Sequence, residues 1–119
     1  MKALCTLLVA LMTPLMAHHV WPVNERAALI TVTGKVTAID WANPHPMFSI
    51  DVTTPQGTEK WQVGGPALNR MEAHGWTKTT LKVGDVITGV GHQYTDGQKI
   101  VKLETLKLPS GKEMKLYAR

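Results

Sequence analysis

Residues 29–41 read LITVTGKVTAIDW, a β-branched run with a glycine near its centre and a change of phase near its end. Ile30, Val32, Val36 and Ala38 share one face by a period of two, whereas Ile39 and Trp41 fall on the other. A long strand that carries a mid-run glycine and slips in phase is expected to bend or bulge. Such a strand can serve both sides of a small closed sheet, and it constrains the fold more than any other segment.

The remaining segments fit that sheet. NPHP at 43–46 is a turn, followed by a strand over 47–53 in which Phe48, Ile50 and Val52 alternate with polar positions. TPQG at 54–57 closes a hairpin into a strand over 58–63, with Trp61 and Val63 on one face. Gly64 and Gly65 end the pattern, and Pro66 opens a short helix over 66–74 that Gly75 caps. Strands over 85–94 and 99–108 flank the turn TDGQ, and 113–117 adds a final short strand after PSGK. The expected fold is therefore all-β with one short helix, in the order β-β-β-α-β-β. Five strands with a helix between the third and fourth describe a small OB-fold-like barrel.

The first 17 residues read as a secretory leader and not as part of the fold. Lys2 supplies a positive start, 3–11 is almost wholly apolar, and Ala17 offers a small residue for cleavage. The stretch falls short of the about 20 apolar residues that a membrane span requires. The expected organisation is a signal peptide over 1–17, an N-terminal arm over 18–28 and an OB-like β-barrel domain over 29–119. The expected location is the periplasm, with no membrane span left after cleavage. Cys5, the single cysteine, leaves with the leader, so no disulfide is expected. A formal net charge of +4 spread singly along the chain does not mark a nucleic-acid binder.

Little in the chain supports covalent catalysis. No G-x-S-x-G occurs, the glycine pairs lack the context of a phosphate loop, and no acid–base pair stands out, so the chain is read as not an enzyme. The five histidines carry more information. Cleavage after Ala17 makes His18 the N-terminus, and its free amine and ring Nδ1 can chelate one metal ion. A further imidazole completes a planar nitrogen set, which suits Cu(II), the ion that leads the divalent affinity order. The opposing reading makes His18 and His19 a frayed, solvated tail.

His45 lies between Pro44 and Pro46, so its backbone is stiff and extended, and Met47 two residues on is a soft donor. Its structural alternative is a ring packed beside Trp41. His92 shares a face with Val86, Val90 and Tyr94 and reads either as a ligand or as a satisfied buried histidine. His74 precedes Gly75 and suits a helix C-terminus. Barrel topology brings the arm out near the end of the fourth strand, close to His92. Reaching His45 requires the arm to run back along the barrel, within a full extension of roughly 36 Å from His18 to Leu29.

The export signal ending in Ala17-His18-His19, the run from Thr33 to His45 with its W-x-N-P-H ending, and Gly75 to Asp85 together resemble a family of short exported bacterial proteins of unknown function. The likeness covers nearly all of the chain after the leader and implies a single small OB-type barrel. It supplies no activity and no catalytic residues. The family commonly has Ser-Phe where this chain has Val20-Trp21, and an apolar or aromatic residue where it has Pro46.

Two functions follow as expectations. The first is a periplasmic metal-binding protein for a copper ion, with His18, His19, His45 and His92 as candidate ligands. The second is a metal-free OB-type module that binds an envelope saccharide or protein partner through Trp41, Trp61 and Trp76.

Overall fold

The computed structural model describes residues 20–117, and all structural statements concern these. The expected leader, His18 and His19 lie outside them. The element order is β1 (Ile30–Asp40), β2 (Met47–Thr54), β3 (Gly57–Gly64), α1 (Leu68–Ala73), β4 (Val86–Gln93), β5 (Ile100–Lys107) and β6 (Glu113–Lys115).

The strands form one sheet in the order β3-β2-β1-β4-β5-β6, and a parallel pairing of β3 with β5 closes it. The result is the five-stranded OB-like barrel expected from the sequence, with β6 added at its edge and α1 between β3 and β4. The closing pairing joins Gln62–Gly64 to Ile100–Lys102, so it shortens the exposed edge of β3, which is one way a small sheet limits edge-to-edge association.

The curvature of β1 arises at two places. Gly34 lets the backbone of β2 approach closely, because a Cβ there would lie 2.5 Å from the Asp51 carbonyl oxygen. The pairing with β2 then shifts between Val36 and Ala38, so the bulge falls at Thr37. The phase changes one residue earlier than the sequence suggests. Ala38 is exposed and does not share the face of Val36, while Ile39 and Trp41 pack against the core.

The barrel is filled by Val32, Val36, Phe48, Ile50, Val63, Ile87, Val101, Leu103 and Leu106. At one end α1 and the segment after it contribute Met71, Trp76 and Leu81, with Met114 and Leu116 from the C-terminal edge. The helix starts at Leu68, not at Pro66, since its first turn bonds back to Ala67 and the Leu68 amide donates to Oδ1 of Asn43 in the turn before β2. His74 is its C-cap, as its position before Gly75 suggests.

Candidate metal site under the N-terminal arm

Period two on β4 turns Ile87, Gly89 and Gly91 inward and sends Thr88, Val90 and His92 outward. His92 is nevertheless only 3% exposed. The cover is the N-terminal arm, which crosses the outer face of β4: Val23 forms an isolated antiparallel bridge with Tyr94, and the Thr95 amide donates to the Pro22 carbonyl. The arm thus emerges beside the end of β4, near His92, as the topology predicts. It also continues to the NPHP turn, where the Trp21 ring meets the His45 ring at a centroid distance of 4.5 Å.

A second irregularity shapes this face. The β4–β5 register shifts between Val90 and Gly91: Val90 pairs with Thr105 and Gly91 with Leu103, which leaves Glu104 as the extra residue. Its carbonyl is taken up by the Leu116 amide beyond β6. Bulges re-aim side chains next to functional sites, and this one places Glu104 beside His92 and Lys102, which are direct register partners.

Glu25 from the arm completes the cluster. Nε2 of His92 lies 3.5 Å from Oε2 of Glu25 and 3.8 Å from Oε1 of Glu104. Among the described residues this is the group of three ligand-type side chains whose donor atoms converge, all within 4.8 Å of one another. The separations lie within ion-pair range and are compatible with two uses, a His–carboxylate ion-pair cluster and donors around a shared ion. They are too long for good N–H···O hydrogen bonds. They suit donors around one ion, since bonds of 2.0–2.2 Å at tetrahedral angles put ligand atoms about 3.4 Å apart. The other ring nitrogen, Nδ1 of His92, is buried without a hydrogen-bond partner, so the ring meets the two carboxylates through Nε2 alone.

Two further groups tune the cluster. The Lys102 ammonium pairs with the other Glu25 oxygen and sits 4.5 Å from the centre of the Tyr117 ring. Burial pushes the Tyr117 phenol up to about 12, against the opposing influence of Trp21, and the charges of Glu104 and Glu25 add to the rise. A folded pKa above the unfolded value of about 10 means that the native state holds its proton where the unfolded state has lost it. Stability conferred by the neutral phenol is therefore complete below pH 10 and falls as the pH rises toward 12. Denaturant titrations across this window should show that fall, and Tyr117→Phe should flatten it. A hollow of 230 Å³ lined by Leu29, Glu104, Thr105, Lys115 and Tyr117 gives solvent access beside Glu104.

Of the four candidate ligands read from the sequence, His92 is in this group. His45 is not: it is half-buried, and its ring packs on that of Trp21. His18 and His19 lie outside the described residues. Glu25, Lys102, Glu104 and Tyr117 carry no motif and were not legible as site residues. The three expected stacking residues do not form a platform either. Trp76 is buried in the core, Trp41 packs against it, and Trp61 alone lines a surface hollow of 530 Å³, beside Lys60, Gln62, Gln98 and Lys99. No helix among the described residues is long and apolar enough to cross a membrane.

Comparison with known sequences adds one finding. The pattern described as "Family of unknown function (DUF6152)" matches residues 6–102 of the chain. No curated protein matches it.

Proposed function

Because the chain belongs to the family of unknown function DUF6152, we propose its role from its own residues: it is exported to the periplasm and binds a divalent metal ion, Cu(II) by preference, without catalysing a reaction. The observation that carries this reading is the convergence of Glu25, His92 and Glu104 beneath the arm. One imidazole and two carboxylates accept several borderline ions, and Cu(II) leads their affinity order. The histidines upstream extend the same chemistry. His18 precedes Trp21 by three residues, a covalent reach of roughly 10 Å, and the Trp21 ring packs at a tilt against that of His45. A chelate of the His18 amine and ring, with His19 or His45 as a further donor, is the nitrogen-rich form of the proposal.

Titration of Cu(II) into protein beginning at His18 tests both forms. His92→Ala and Glu104→Gln should each weaken binding if the cluster holds the ion. One extra residue before His18 should weaken it if the amine does. Affinity unchanged by all three overturns the reading. Lys102 gives a change of opposite sign. Its ammonium already neutralises Glu25, so Lys102→Met should tighten Cu(II) binding by roughly tenfold, the order expected from removing a like charge at contact range. A purely structural ion-pair cluster predicts lower stability in that variant and no gain in affinity.

One observation favours a metal-free binding module, the hollow beside Trp61. An envelope saccharide would stack on that indole, and loss of oligosaccharide binding in Trp61→Ala is its test.

A further inference from the structure

The NPHP turn leads into β2 with Pro46 and Phe48 buried, and His45 and Met47 alternate with them on the outer side. Met47 is the cross-strand partner of Gly64 on β3. Glycine at that position leaves a gap that two side chains fill. A Cβ there would collide with Sδ of Met47, and it would lie 3.0 Å from Cη2 of Trp21. The thioether and the indole thus meet over one missing side chain, and the same indole packs on the His45 ring with centroids 4.5 Å apart and planes tilted by 40°. All three side chains are half-buried.

The geometry points to a second metal site here, for a soft monovalent ion of the Cu(I) or Ag(I) type, held by His45 and the Met47 sulfur with the Trp21 ring against it. Thioether and imidazole are the donors that select such an ion over hard divalent cations. An indole is the best aromatic partner for a partly desolvated cation. The flanking prolines hold the His45 backbone in place before the ion arrives, and the arm supplies Trp21 from a separate part of the chain. The site shares no residue with the carboxylate cluster, so it stands or falls separately from that cluster; it shares His45 with the nitrogen-rich chelate, which the test below removes.

The competing use of these contacts is packing alone, since a methionine sulfur against an aromatic ring is a favourable anchor. Ag(I), an air-stable probe of this class, separates the two. The protein should carry an extra residue before His18, so that the terminal chelate is absent. Indole emission should respond to one equivalent of Ag(I), and Trp21→Phe should abolish that response. Met47→Leu keeps the volume and removes the sulfur, so it should weaken Ag(I) by about tenfold or more while leaving the melting temperature nearly unchanged. If Met47→Leu fails to fold, the ε-methyl resonance of Met47 in the unsubstituted protein serves instead: Ag(I) should shift it, while those of Met71 and Met114 hold. Equal Ag(I) affinity in Met47→Leu, an unmoved Met47 methyl, or no saturable binding overturns the site. Cu(II) binding that depends on His92 would survive any of these results.

Discussion

Trp76→Ala should cost about 3–5 kcal/mol, the range for removing a large buried aromatic side chain. Trp76 is 1% exposed and stacks on Phe48 with ring centroids 6.0 Å apart and planes within 16°. Its indole N–H donates to the Lys115 carbonyl at 2.9 Å. One side chain therefore joins the end of α1, the inner face of β2 and the added strand β6. Alanine leaves a cavity and an unsatisfied carbonyl together. For a domain of this size the melting temperature should fall by at least roughly 12 °C. Trp76→Phe separates the contributions, since it keeps the stacking and loses the hydrogen bond; about 1–2 kcal/mol is expected from the unpaired carbonyl. Chemical denaturation of both variants reads the difference. A loss under about 1 kcal/mol for Trp76→Ala would mean that the helix end and β6 do not depend on this anchor.

The barrel was legible because its signals are local. Alternation marked each strand, glycine and proline marked each turn, and a helix between the third and fourth strands specified the topology. The bulge in β1 was visible as a phase slip and misplaced by one residue, because Ala38 is small enough to read as either face. The bulge in β5 left a similar trace. Val101 and Leu103 are buried, and so is Leu106, a spacing of three where a regular strand requires two. That slip is the sequence mark of the bulge, and it could have been read, though it does not mark Glu104 as a site residue.

The candidate cluster was legible only in part. His92 was visible as a chemically useful residue on a strand face. Glu25 belongs to an arm without periodicity, and nothing local to ALITV or NER reports that the arm crosses β4. The Val23–Tyr94 bridge and the seat of Trp21 on Gly64 are contacts between residues far apart in the chain. Lys102 and Glu104 look like ordinary solvated positions on an outward face until the arm covers them. Sequence patterning separates inside from outside with respect to the barrel. It does not show that part of the outside is covered by a second segment.

Gly91→Ala should remove both stability and metal binding, because Gly91 holds the second bulge in place. A Cβ there would run into the Lys102 carbonyl oxygen and lie 2.9 Å from the Cα of Leu103. These are backbone atoms of the paired strand, so no rotamer change relieves the clash and β4 must move away from β5. Overpacking of this kind usually costs 1–3 kcal/mol, and a backbone obstacle sets the expectation at roughly 3 kcal/mol or more. The same movement separates His92 from Glu104, whose 3.8 Å approach depends on the register shift at this glycine. Cu(II) affinity of the folded fraction should therefore fall along with the melting temperature. Gly89→Ala is the matched control. Its obstacle is the Cδ2 atom of Leu103 at 2.6 Å, the tip of a side chain that can turn aside. That variant should lose less stability and keep its metal affinity, since His92, Lys102 and Glu104 stay in register. Equal melting of Gly91→Ala and the unsubstituted protein would show that the strands tolerate the added carbon. A lower melt with undiminished Cu(II) affinity would separate the bulge from the site and remove Glu104 from the ligand set.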